Sequence, residues 1–140
     1  MMDPLHSAMH VAASGLQAQS HRARIVSENL ANHDSTGSTP GANPYTRKII
    51  TFGSDVDNAF AATMVRVESI APDPAPYPLR YDPGHPAANA QGYVKHPNVR
   101  MLIELADIRE ANRSYEANLQ VVRQARAMIG MTIDLLRSNG

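Results

Sequence analysis

The sequence has no cysteine, no tryptophan and only two phenylalanines in 140 residues, and its thirteen basic side chains are matched by thirteen acidic ones. Without cysteine, disulfide frameworks, thiolate catalysis and zinc ribbons are excluded. A formal net charge of zero removes the usual electrostatic footprint of a nucleic-acid binder. The thin aromatic supply argues against a base-stacking platform and against a bulky core. No apolar run approaches the roughly 18 residues needed to span a bilayer as a helix. The N-terminal stretch MMDPLHSAMHVAAS lacks the basic region and continuous apolar segment of a secretory signal. The expectation is a protein that stays in the cytoplasm or leaves it without a cleaved signal. At 43% hydrophobic, the chain has enough apolar residues for one domain with a real core, and it is too short for two ordinary ones.

Two helices frame the chain. Asp3-Pro4 predicts a helix start, with aspartate as N-cap and proline at the first helical position. From there Leu5, Met9, Ala12, Leu16, Gln19, Ala23, Val26 and Leu30 step by fours and threes, a heptad-like seam with one polar member. Gly15 interrupts the helix at a cost of about 1 kcal/mol against alanine, and the reason expected for it is a close helix–helix contact. The helix should end near Asn32, before the turn-formers HDSTGSTPGANP. The second helix is predicted from Asn98, as N-cap behind Pro97, to Ser138. Ile108, Ala111, Tyr115, Val122, Ala125, Ile129 and Leu136 form its line, widened by Leu119, Met128, Ile133 and Leu135. At about 1.5 Å per residue it would be roughly 60 Å long, twice the diameter of a small domain. Such a helix must meet another chain or solvent.

Between the helices, Tyr45–Phe52 and Thr63–Ile70 carry the β-branched and aromatic residues of strands, and Asp55–Ala62 is ambiguous, with a helical turn as one option. Six of the ten prolines lie between Pro72 and Pro86 and force an extended or turning path. Gly92-Tyr93-Val94 suits a short extended piece. The expected fold is mainly α with a small β insert (α+β), elongated, its long terminal helices pairing as a coiled-coil-like hairpin. Residues 1–32 and 98–140 supply the helical part. Residues 33–97 supply loop, insert and proline-rich segment.

Chemistry is sparse. His6 and His10 stand at i,i+4, a spacing that brings two imidazoles to one ion, but the glutamate of a zincin motif and any nearby third ligand are missing. Glu104 and Asp107 share a helix face, which on an amphipathic helix points to a solvated face or an intersubunit salt bridge rather than to acid–base work. No G-x-S-x-G elbow and no glycine-rich phosphate loop occur. Arg47-Lys48 is too small a cluster to bind phosphate by itself. The expectation is a non-enzyme with no cofactor and no metal: a helical assembly unit without nucleic-acid or small-molecule ligands. The seam residues Leu5, Met9, Leu16, Val26, Leu30, Val122, Ile129 and Leu136 are its candidate subunit interface.

Specific residues add a resemblance. Ser14, Gly15, Leu16 and Ala18, then Asn29, Ala31 and Asn32, then Pro44, Tyr45, Arg47 and Lys48 are similar to the N-terminal signature of bacterial flagellar axial proteins. The second half is more discriminating. Asp73–Pro76, Tyr81–Pro86, Gly92–Val94, Pro97–Val99, Glu104, Asp107, Ala111, Arg113 and the run Tyr115–Asn118 resemble the proximal-rod family of the basal body, the FlgC type. The likeness covers nearly the whole chain in the right order.

It implies a structural subunit of the periplasmic rod, exported through the flagellar type III apparatus without a cleaved signal. Other rod proteins, copies of itself and adjacent basal-body components would be its partners. It also implies interface roles for Asn29, Asn32, Tyr45, Arg47, Lys48, Arg113, Tyr115, Glu116 and Asn118. Two other readings stay open: a cytoplasmic helical-hairpin adaptor that binds one partner helix, and another rod or hook axial protein.

Overall fold

The structure, a computed structural model, describes residues 4–59 and 62–138. Helix α1 (Pro4–Ala31) is followed by strands β1 (Lys48–Asp57), β2 (Ala62–Pro72), β3 (Leu79–Tyr81) and β4 (Tyr93–Lys95), then by helix α2 (Met101–Ser138). β1 pairs with β2 in one two-stranded sheet. β3 and β4 pair antiparallel in another, with Leu79 opposite Lys95, Arg80 opposite Val94 and Tyr81 opposite Tyr93. The fold is α+β, with long helices at both ends of the chain and the β elements between them. Asp3, expected as the first N-cap, lies outside the described residues.

The α1 seam has the inward face it was expected to have. Leu5, Met9, Ala12, Leu16, Gln19, Ala23, Val26 and Leu30 are all buried or half-buried, while His6, His10, Gln17, Ser20, Arg24 and Ser27 are exposed. The helix closes on its own side chains: Asn32 Nδ2 donates to the Glu28 carbonyl at 2.9 Å, and a ring nitrogen of His33 lies 2.9 Å from the Leu30 carbonyl. Carbonyls that a helix end leaves over are thereby satisfied.

Several sequence expectations shift. β1 begins at Lys48 rather than Tyr45, because Tyr45 N–H is spent on the Ser35 carbonyl. It then runs through Asp57, so Asp55–Asp57 belong to the strand; Asn58 and Ala59 lie in the turn that follows, and residues 60–61 of the ambiguous stretch lie outside the described residues. Leu79-Arg80-Tyr81, a proline-free run between Pro78 and Pro83, forms a strand inside the proline-dense segment. Asn98 is not the N-cap of α2. The first helical bonds end on the Arg100 carbonyl, which accepts from the N–H groups of Ile103 and Glu104 at 2.9 and 3.1 Å. The Asn98 side chain is occupied elsewhere.

The chain divides into two compact units, one of Met1–Arg22, Thr51–Glu68 and Arg109–Gly140, the other of Ala23–Ile50 and Ser69–Ile108. In the first, the buried apolar side chains are Ala12, Ala18, Ala111 and Ala125. Gly15 there meets α2 closely: a Cβ on Gly15 would lie 2.8–2.9 Å from the Asn118 side chain, whose Nδ2 donates to the Ser114 carbonyl. Gly15→Ala forces the Asn118 amide to swing aside and give up the Ser114 carbonyl, a cost of about 1 kcal/mol that cancels the gain in helix propensity. In an Asn118→Ala background the same change should be stabilising by about 1 kcal/mol. Urea unfolding of the four proteins reads the difference.

A candidate structural joint around Arg47

The second unit buries Ile25, Val26, Ala87 and Val94, and with them three polar side chains, Asn29, Asn98 and Glu104. Burying such groups is costly unless each finds a partner, and each does. Two asparagines grip the start of β1. Asn29, in the last turns of α1, behaves as a strand neighbour: its Oδ1 accepts from Lys48 N–H and its Nδ2 donates to the Lys48 carbonyl, both at 2.9 Å. The same Oδ1 accepts from Tyr45 Oη at 2.9 Å, and Nδ2 also reaches Glu104 Oε2 at 3.1 Å. Asn98 Oδ1 accepts from Arg47 N–H at 2.8 Å, and its Nδ2 donates to the carbonyls of Asp73 and Ala75 at 3.2 and 2.9 Å.

Arg47 is the hub. Its Nε pairs with the fully buried Glu104, Nη1 lies 3.2 Å from Asp73 Oδ2, and Nη2 lies 3.7 Å from Asp107 Oδ2. The planar guanidinium suits this, since its fork of donors can serve several carboxylates at once. Burial works against the Arg47 charge, but the hydrogen bond and charge of Glu104, followed by those of Asp73, hold its pKa above the ordinary value. Lys48 Nζ pairs with Glu28 beside it. One arginine side chain thus ties the loop ahead of β1, the end of β2 and the first two turns of α2 into a single joint.

Tyr45 completes it. Burial, followed by the charges of Glu28 and Glu104, pushes its phenol above the usual 10.0. A raised folded-state pKa stabilises the fold fully below the unfolded value of about 10 and stops doing so as pH climbs through the folded value. Tyr45→Phe should cost about 1 kcal/mol at neutral pH through the lost hydrogen bond, and the gap to the native chain should close above pH 10. Denaturation midpoints across pH 7–11 test this.

The joint gathers Asn29, Tyr45, Arg47 and Lys48 from the expected interface set, and their hydrogen bonds described above are made within the chain. Val26 is buried beside them in the sequence. Leu5, Met9, Leu16, Leu30, Asn32, Asn118, Val122 and Ile129 are half-buried, and Arg113, Tyr115, Glu116 and Leu136 are exposed. Glu104 and Asp107, read from sequence as a solvated or intersubunit pair, instead converge on Arg47 of the same chain. Glu28, Asp73 and Asn98 were not singled out for such a role. No short-range spacing marks them, because the partners that draw them into the joint lie 20 to 51 positions away in sequence. Among the described residues, no group of three or more histidines and carboxylates is arranged to hold a metal ion, and no helix is long and apolar enough to cross a membrane.

Known flagellar rod proteins resemble the chain over nearly all of its length. Residues 9–39 match the family model described as flagella basal body rod protein, and residues 90–135 match that for the flagellar basal body rod FlgEFG protein C-terminal region. The flagellar basal-body rod protein FlgC of Agrobacterium fabrum is 56% identical over 138 residues, covering 99% of both chains. Its counterpart in Salmonella typhimurium is 41% identical over 126 residues, covering 89% of this chain and 92% of the relative. That of Borreliella burgdorferi is 36% identical over 150 residues, with 95% and 98% covered. The chain belongs to the FlgC family of flagellar basal-body rod proteins, structural subunits of the proximal rod and not enzymes.

Proposed function

We propose that this subunit leaves the cytoplasm through the flagellar type III export apparatus, keeps its N-terminal helix, and enters the periplasmic rod as part of a tubular drive shaft. Its terminal helices pair in coiled-coil fashion with each other and with those of neighbours, which are further copies of itself, other rod proteins and adjacent basal-body components. The observation that carries this reading is the end of α2. Every residue from Met131 to Ser138 is exposed, including Met131 at 63%, Ile133, Leu135 and Leu136 at 72%. Burying a large apolar side chain is worth about 1.5–3 kcal/mol, so four of them in two turns supply a strong drive toward a partner. Meanwhile α1 contributes Ala12, Ala18, Ile25, Val26 and Asn29 to buried positions, which argues for its retention after export.

In this reading Leu136, Arg113, Tyr115 and Glu116 touch neighbours directly. Leu5, Met9, Leu16, Leu30, Asn118, Val122 and Ile129 line the edges of the same contacts. Val26, Asn29, Asn32, Tyr45, Arg47 and Lys48 act from inside, by fixing the strand and loop that a neighbour meets. Torque is then resisted by many helix contacts, each backed by a rigid joint. Deletion of the gene tests the reading: loss of hooks, filaments and swimming, restored by the intact gene, is expected. Normal flagella in the deletion strain would point to a redundant second flagellar set or to the cytoplasmic adaptor.

A further inference from the structure

The β3–β4 pair turns one face to solvent. Strand side chains alternate, so Leu79, Tyr81, Tyr93 and Lys95 share that face, while Val94 on the other is fully buried. Leu79 and Tyr81 are 61% and 65% exposed, and Tyr93 is exposed beside them. The two tyrosine rings pack edge to face with centroids 5.3 Å apart. Gly92 makes room for them: at φ 82° it adopts the left-handed conformation, and a Cβ there would lie 2.8 Å from Tyr81 Cε2. Asn89 Oδ1 accepts from the N–H groups of Gln91 and Tyr93 and holds the turn in place. The result is a rigid aromatic patch of the type that anchors interfaces.

Immediately before β3 the chain carries a complementary segment. Pro72, Pro74, Pro76 and Pro78 are all exposed, while the backbone between them is tied down. Asn98 Nδ2 donates to the carbonyls of Asp73 and Ala75, and His96 N–H donates to the Pro78 carbonyl at 2.8 Å. Ala75 N–H donates to Asp73 Oδ1 at 2.8 Å, and the Tyr77 and Thr46 hydroxyls are hydrogen-bonded. A proline segment held this way has already lost most of its conformational entropy, and proline rings dock on aromatic side chains in a recurring mode of recognition. The same ties prevent it from covering its own tyrosines, because Pro78 is joined directly to Leu79.

We propose that the Leu79–Tyr81–Tyr93 face of one copy receives the Pro72–Pro78 segment of a second copy of this chain. Two different surfaces meet, so the contact is heterologous and can repeat from copy to copy along an open assembly. The proposal rests on the rod-assembly reading and adds to it a named contact outside the terminal helices.

The absence of native cysteine makes the test direct. Cells carrying two alleles, Pro76→Cys and Tyr81→Cys, are treated with a short bis-maleimide, and their basal bodies are purified. A cross-linked dimer containing both alleles, at least tenfold above either allele alone, is the expected result. Assembled rods without that dimer, or with the link running to a different protein, overturn the proposal and leave the rod reading intact. Absence of the unsubstituted chain from purified basal bodies overturns the rod reading itself. If a cysteine variant fails to enter rods, swimming of Tyr81→Ala, Pro76→Ala and the double variant decides. A double loss no greater than the larger single loss, with Tyr81→Phe near normal, supports the contact; additive losses overturn it.

Discussion

Replacing Glu104 with alanine should cost the folded chain about 3 kcal/mol, measured as a lowered urea midpoint in the full-length protein. The carboxylate is fully buried and accepts from Arg47 Nε and Asn29 Nδ2. Removing one member of such a pair leaves the other charged and poorly solvated, for which losses of about 3–5 kcal/mol are usual. The lower end applies because Arg47 keeps Asp73 at 3.2 Å and Asp107 at 3.7 Å, and Asn29 Nδ2 keeps the Lys48 carbonyl. Against a total stability of about 5–15 kcal/mol for a domain, the loss is large. A cost below about 1 kcal/mol, the range of exposed ion pairs, would show that Glu104 is not part of a structural joint.

The reverse truncation sharpens the point. Arg47→Ala removes the only cation described on Glu104 and leaves its carboxylate with the Asn29 amide, so it should cost more than Glu104→Ala. Arg47→Lys should recover only part of the loss, since an ammonium cannot serve Glu104, Asp73 and Asp107 in one plane. Pairing Arg47→Met with Glu104→Leu should restore most of the stability, because apolar replacement of both partners avoids stranding a charge. What the ion pair then provides is less net stability than a fixed arrangement of β1, the end of β2 and α2.

That joint was only half legible in the sequence. The α1 seam could be read because every one of its positions from Leu5 to Leu30 is buried or half-buried. At the start of α2 the pattern inverts: Leu102 is 82% exposed, and Glu104, two positions on, is fully buried. Periodicity ranks leucine inside and glutamate outside, and it fails where a distant arginine determines which side of the helix faces inward. Asn98 misled for a related reason. Its place after proline fits an N-cap, but its side chain satisfies three backbone groups on other segments, and local propensity cannot show partners that arrive from 23 to 51 residues away. β3 escaped notice because prolines on both sides mask a three-residue strand that depends on β4 for its hydrogen bonds.

Leucines 135 and 136 should mark the opposite case, large in assembly and silent in the isolated chain. Both are exposed in the last turn of α2. Leu135→Lys with Leu136→Lys keeps helix propensity nearly constant and puts positive charge at a helix C-terminus, where the macrodipole favours it. The free subunit should therefore keep its urea midpoint to within about 0.5 kcal/mol, as surface substitutions do. If the end of α2 is buried in the rod as proposed, burial of two leucines is exchanged there for two desolvated ammonium groups. Losing the transfer term alone, about 1.5–3 kcal/mol per side chain, weakens a subunit contact about a hundredfold or more, at 1.4 kcal/mol per factor of ten. Swimming and hook formation should be lost while the protein remains folded and abundant. Val122→Asp provides the contrast: Val122 is half-buried in the free chain, so the added charge should lower the stability of the isolated subunit as well as its incorporation. Normal motility in the double-lysine variant would mean that the end of α2 stays in water in the assembled rod, and the coiled-coil reading of that helix would fall with it.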